Sequence, residues 1–290
     1  MRRMTTVRNN PVAALEARQL LAGAVTASLA AGTLTITGDN LDNKIFVDSI
    51  GGQLHVQAKA GTKINGVTDG EVLFALPTQT VVWLGGGNDD FRALGDLGGG
   101  LTVNGGNGND TVGLFQIRLA KNLLVDIGSG NDMVFPSWFS FNDTLIMPSV
   151  IAGSATIIGG SGVDAIYAHS LRLGGSLLVD LGNGNDVAQL WGGRIDQQTQ
   201  ISMGSGIDVM TSDGAEYNGS FTFQGGNGED NVELMNNKFH GFFSIDLGNS
   251  EDGFKSTNDS FFGGGYVSGG NGFDHLISKF DQLSVTGFEY

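Results

Sequence analysis

The 290-residue chain has no cysteine, which excludes disulfides and thiolate metal sites but leaves the cellular compartment open. Proline is nearly as scarce, at 4 residues against 48 glycines. Collagen is excluded, because it combines glycine at every third place with abundant proline. No apolar run approaches the roughly 20 residues of a membrane-spanning helix. Basic residues are few: 15 Lys and Arg stand against 30 Asp and Glu, for a net charge of −15. Four of the arginines, Arg2, Arg3, Arg8 and Arg18, fall in the first 20 residues beside Glu16, which leaves −18 to the remainder. A body this acidic repels nucleic acid and anionic membrane surfaces, so neither is expected as a partner, and cations are its natural counterpart.

What is present is periodic. Hydrophobic residues make up 40% of the chain and recur regularly, which is unlike low-complexity disorder. Aligned on its glycines, the sequence shows nine copies of G-x-G-x-D, one of them with Ser250 in place of the second glycine. Their aspartates are Asp89, Asp110, Asp132, Asp164, Asp186, Asp208, Asp230, Asp252 and Asp274. The gaps are 21, 22, 32, 22, 22, 22, 22 and 22, so a single ten-residue insertion interrupts a fixed period. Three positions before the first glycine stand Val82, Val103, Val125, Ile157, Val179, Ile201, Phe223, Ile245 and Val267. Two positions after the aspartate stand Phe91, Val112, Val134, Ile166, Ala188, Met210, Val232, Phe254 and Leu276.

Alternation such as Leu177, Val179 and Leu181 has the period of two of a strand with one buried face. Each copy thus reads as strand, glycine turn, short strand and polar return. One copy cannot bury its inward face alone, and stacking the copies does so. The expected fold is all-β, a parallel β-helix or β-roll solenoid. TGDNLDN, with Asp42, and INGVTD, ending at Asp69, read as two degenerate early copies. They bring the expectation to about eleven 22-residue coils over residues 32–290, with residues 1–31 outside as an export or targeting segment.

GGNGNDTVG (Gly105 to Gly113) and GGNGEDNVE (Gly225 to Glu233) resemble the calcium-binding nonapeptide repeats of the RTX, or haemolysin-type, family. Looser matches run through residues 84–278. The resemblance implies a parallel β-roll, export from a bacterium, and Ca2+ held between stacked turns by glycine carbonyls and the aspartates, here the nine named above. The chain departs from the family in spacing: family repeats recur every nine residues, whereas here one such turn falls in each 22. At most one calcium column therefore carries over, and Ser250 puts the turn of Asp252 in question. LEARQLL (Leu15 to Leu21) resembles the LEPR-XLL motif of large exported bacterial repeat proteins, with Ala17 where that motif has proline. An amphipathic helix start is its plain alternative, and the following LLAGAVTASLAA has the look of a signal-peptide core.

The aspartate column admits two readings. Glycines that supply positive φ and an aspartate bonded to its own turn backbone would be turn chemistry alone. Stacked carboxylates, however, repel one another, and a hard divalent cation with oxygen ligands removes that cost. Asp126, Asp180 and Asp246, two positions before the turn glycines, are expected to face solvent. Arg172, Arg194, Glu216 and Lys238 share one offset in four successive coils and should form an exposed ladder of little energetic value. The four histidines, His55, His169, His240 and His275, share neither repeat position nor ligand spacing. The insertion holds PSWFSFNDTLIM (Pro136 to Met147), whose aromatics suit either a sugar- or partner-binding loop or a cover for a coil edge.

Three functions compete. One is a secreted, calcium-stabilised structural or adhesive protein of the bacterial cell exterior. Another is a polysaccharide-active β-helix enzyme, a lyase or glycosidase; the third is a passive secretion module. The regularity of the repeat favours the first and third over an enzyme, because catalytic acids and bases would break the symmetry, and the first is taken as the expectation. Its expected partners are calcium ions and either an extracellular polysaccharide or a cell-surface protein, with no membrane span.

Overall fold

The computed structural model describes residues 23–137, 148–277 and 283–288, and these contain β-strands and turns with no helix. Each coil has three sides. In one repeat these are a seven-residue strand Leu177–Asn183, a five-residue strand Val187–Trp191 and a two-residue strand Arg194–Ile195. All three pair in parallel with the strands 22 residues further on: Leu177 with Thr199, Val187 with Val209, and Arg194 with Glu216. Parallel neighbours lie roughly 4.8 Å apart, so the stack of about nine turns extends about 40 Å.

The period dictates the core. Val82, Val103, Val125, Ile157, Val179, Ile201, Phe223, Ile245 and Val267 face one another in register, each no more than 1% exposed. Phe91 through Phe254 form the parallel column on the second sheet, and Leu276 closes it partly buried. Leu177, Val179 and Leu181 point inward as the alternation requires. Near the C-terminal end an interior stack of Tyr217, Phe239 and Phe261 leans edge-on against Phe221 and Phe243, with ring centroids 4.6–5.6 Å apart. Complete burial of each such side chain stabilises the fold by about 1.5–3 kcal/mol. The long gap between Asp132 and Asp164 shifts the register locally between Val134 and Ser137, and Val150–Ile151 then resumes pairing with Arg118–Leu119 on one side and Arg172–Leu173 on the other. Most of the insertion, residues 138–147, lies outside the described residues.

Two expectations are corrected. INGVTD is not a coil: Lys63–Ile64 and Val67–Thr68 pair antiparallel as a tight hairpin. Around it, Gln53–Ala58 and Glu71–Ala75 run antiparallel beside Lys44–Ile50, and the turn count falls to about nine. The boundary at residue 31 falls inside another hairpin. Ala24–Ala30 pairs antiparallel with Thr33–Thr37, and Ala31 and Gly32, with φ of 49° and 78°, supply the two left-handed residues of a tight hairpin turn. Val25 and Ala27 bury their side chains there, so residues 24–30 of the stretch read as a signal-peptide core form a strand, which also pairs in parallel with Lys63–Ile64. LEARQLL lies outside the described residues.

Candidate functional site

All nine predicted aspartates fall in one column, at the corner between the seven-residue and five-residue strands. The corner is tight because successive coils approach too closely there for side chains. A Cβ on Gly206 would lie 1.5 Å from the carbonyl oxygen of Gly184, and Gly206 itself has φ of +141°. Glycine is the residue that fits both demands. Where the second glycine is missing, Ser250 adopts φ of 104°, and Asp252 still occupies its place in the column, 1% exposed. The substitution therefore strains the backbone without moving the site.

The aspartates point into the solenoid and are 0–3% exposed. From Asp110 onward, each uses Oδ1 to accept a hydrogen bond from the backbone N–H of the aspartate one coil earlier. Asp164 N–H donates to Asp186 at 2.8 Å, Asp186 N–H to Asp208 at 2.7 Å, and the pattern runs unbroken to Asp274. Bonding of each carboxylate to its own turn is thus replaced by bonding between coils. The other oxygen, Oδ2, is buried and has no hydrogen-bond partner in eight of them, from Asp89 to Asp252. It shares its space with backbone carbonyls: a Cβ on Gly105 would lie 2.4 Å from Ile127 O and 2.7 Å from Asp110 Oδ2. Gly159, Gly225 and Gly269 repeat that arrangement with Asp164, Asp230 and Asp274.

Asn43 shows what that position demands. TGDNLDN forms the first turn of the stack, and the residue that enters the column is Asn43, not Asp42. Asn43 N–H donates to Asp89 Oδ1 at 2.6 Å, while Asp42 joins the outer row by accepting from Asn88 N–H. A Cβ on Gly38 would lie 2.2 Å from Leu84 O and 2.8 Å from Asn43 Nδ2, matching Gly105 and Asp110 Oδ2. At that place the Asn43 amide donates to Leu41 O at 2.7 Å and Leu84 O at 3.4 Å. An atom lodged there faces acceptors, so a carboxylate oxygen needs either its own proton or a cation between it and the carbonyls.

Burial acts on the same oxygens. It pushes Asp89, Asp132, Asp186 and Asp230 from 3.8 up to about 7, helped by neighbouring aspartates and opposed by the backbone N–H bonds. Asp252 rises to about 6, and burial also raises Asp110, Asp164 and Asp208. The column fits a hard cation by donor chemistry, since every ligand atom on offer is a carboxylate or carbonyl oxygen. Among the described residues no group of three or more His, Cys, Asp or Glu side chains could hold a metal, so backbone oxygens would have to complete any coordination.

The other marked residues stay apart from the column. Asp126 is half-buried and Asp180 and Asp246 are exposed on the outer face of the first sheet. Arg172, Arg194, Glu216 and Lys238 stack in register as expected, with Arg194 paired to Asp196 and Glu216 to His240. His55 pairs with Asp48 and Glu71, His275 with Glu251, and His169 is buried against Trp191, so the histidines form no common site. One feature escaped the sequence reading: Asn88, Asn109 and Asn131 form an outer ladder of opposite direction, each Oδ1 accepting from a backbone N–H one coil later. The recurring N-D dipeptide was its signal. Comparison with family models, curated proteins and solved structures finds no match for this chain.

Proposed function

We propose that the chain is a secreted, calcium-stabilised structural or adhesive repeat protein of the bacterial cell exterior, and that its work is mechanical rather than catalytic. The observation that carries the calcium part is the row of eight buried Oδ2 atoms without a donor, from Asp89 to Asp252, in a corner that also holds backbone carbonyl oxygens. Asp89, Asp110, Asp132, Asp164, Asp186, Asp208, Asp230, Asp252 and Asp274 would hold the ions through Oδ2. Ca2+ supplies positive charge to oxygens that otherwise repel one another. Carboxylates about 4.8 Å apart repel by about 1 kcal/mol in water and 3–4 kcal/mol at an intermediate dielectric. Secretion is supported by the resemblance to exported calcium-binding repeats and by the N-terminal LEARQLL string.

Asn43 favours a second reading, in which the missing positive centre is a proton. A protonated Asp is shaped like Asn, and the upward shift of the column carboxyls to about 7 retains protons near neutrality. The two readings meet at one atom, so calcium and protons compete for Oδ2. Calorimetric titration of calcium into chelator-treated protein at pH 7.5, with circular dichroism followed alongside, tests the proposal. Saturable heat and proton release are expected; absence of both, with an unchanged spectrum, removes calcium from the account and leaves the proton.

A further inference from the structure

We infer that the outer surface of the second sheet carries a binding track for a linear polysaccharide bearing carboxylates. The inference deepens the adhesive reading and rests on it. In the strands Lys44–Ile50, Asp90–Asp96, Thr111–Leu119, Met133–Ser137 and Ala165–His169, one outward row runs along the solenoid axis. Phe46 stands beside Arg92, Arg92 beside Gly113, Gly113 beside Phe135, and Phe135 beside Tyr167. Gly113 is bare so that Phe115 can lie over it: a Cβ there would come within 2.8 Å of the Phe115 ring. The Phe135 and Tyr167 rings stack with centroids 5.5 Å apart at 17°. Four half-buried rings and an arginine thus form a row about 19 Å long at the strand spacing. The same row turns polar in later coils, with Gln189, Thr211 and Glu233.

The rings are not core residues, since the interior has its own aromatic stack and the outer rings are only half-buried. Two clefts adjoin them. One, of about 490 Å³, is lined by Lys44, Phe46, Gln57, Lys59, Asp90, Arg92 and Phe115 among others, and a second, of about 270 Å³, shares Arg92 and Phe115. In a chain with twice as many acids as bases, the larger cleft holds three cations and a single carboxylate. Arg92 meets that carboxylate, Asp90, through Nε at 2.8 Å while its side chain remains 52% exposed. The ligand that fits is extended, has apolar faces at short regular intervals, and carries anionic groups. Sugar rings offer C–H faces to aromatic rings, and uronate carboxylates suit the planar guanidinium of Arg92.

The test is calorimetric titration of polygalacturonate oligomers into the full chain in calcium-free buffer at fixed ionic strength, with cello-oligosaccharides and poly-L-glutamate as comparators. Polygalacturonate should bind at least tenfold more tightly than either comparator. Arg92→Ala and Phe135→Ala should each weaken it about tenfold, and Arg92→Ala should do so with no change in thermal midpoint, because that side chain is 52% exposed on the outer face. No binding of polygalacturonate, equal binding of poly-L-glutamate or of the neutral sugar, or unchanged binding by Arg92→Ala would each overturn the inference. The midpoint of the same samples with and without calcium reads the calcium proposal separately, so the two can fail independently.

Discussion

Asp186→Asn should change sign with the medium. In the parent, Asp186 Oδ1 accepts from Asp164 N–H at 2.8 Å, and Oδ2 is buried with no donor. Asn keeps the first bond and places an N–H2 where Oδ2 was, the arrangement that Asn43 already shows. Burial holds the Asp186 carboxyl at about 7 instead of 3.8, so ionising it inside the fold costs about 4 kcal/mol at 1.36 kcal/mol per pH unit. Measured costs of one unsatisfied buried group are smaller, about 1–3 kcal/mol, and that range is the safer expectation. At roughly 2–4 °C per kcal/mol for a domain of this size class, the variant should melt several degrees above the parent in chelator at pH 7.5. In millimolar calcium it should melt below the parent, because a ligand oxygen has been lost. At pH 4.5 in chelator the difference should shrink towards zero, since the parent carboxyl then carries its own proton. Differential scanning calorimetry reads all three conditions. A variant less stable than the parent in chelator at pH 7.5 would refute the claim that Oδ2 lacks a donor.

Three further outcomes follow from the same geometry. The carboxyls raised to about 7 keep protons in the native state that the unfolded chain, near 3.8, releases. Without calcium, stability is therefore highest below about pH 4 as far as these groups are concerned. It falls by about 1.4 kcal/mol per pH unit for each such carboxyl as pH rises towards 7, measurable by urea titration across that window. Asp186→Ala, unlike Asn, strands the Asp164 N–H and should be less stable than Asp186→Asn by about 1–3 kcal/mol in calcium and chelator alike, read by the same calorimetry. Gly206→Ala places a Cβ 1.5 Å from Gly184 O and should prevent those coils from stacking, seen as loss of cooperative melting.

The repeat was legible because a 22-residue period fixes every side chain of a coil relative to the next. Val179 and Ile201 share an offset from the turn glycines, and stacking leaves them nowhere to go but the core. The aspartate column was legible for the same reason, as a position. What its side chains bond to was not, because the partner of Asp186 Oδ1 lies 22 residues away and becomes a neighbour only once the coils touch. Asn43 is hidden by Leu41, which stands where later turns have glycine, so that Asp42 imitates the column aspartate in the sequence. INGVTD imitates a degenerate repeat, yet Asn65 and Gly66, both at positive φ, close a two-residue hairpin. The outer aromatic row was invisible because Phe115 sits two residues beyond the position its coil should use and reaches back over Gly113.

The central claim is that a positive centre belongs beside every Oδ2 of the column, and that calcium supplies it outside the cell. A crystal structure grown in calcium, with anomalous data collected at a wavelength where calcium scatters measurably, tests it most directly. The account predicts a row of anomalous peaks along the column, each about 2.3–2.6 Å from a carboxylate oxygen and from backbone carbonyls of adjoining turns. A column free of anomalous signal, with the Oδ2 atoms of Asp89 to Asp252 still without a donor, would contradict it and assign the column to protons.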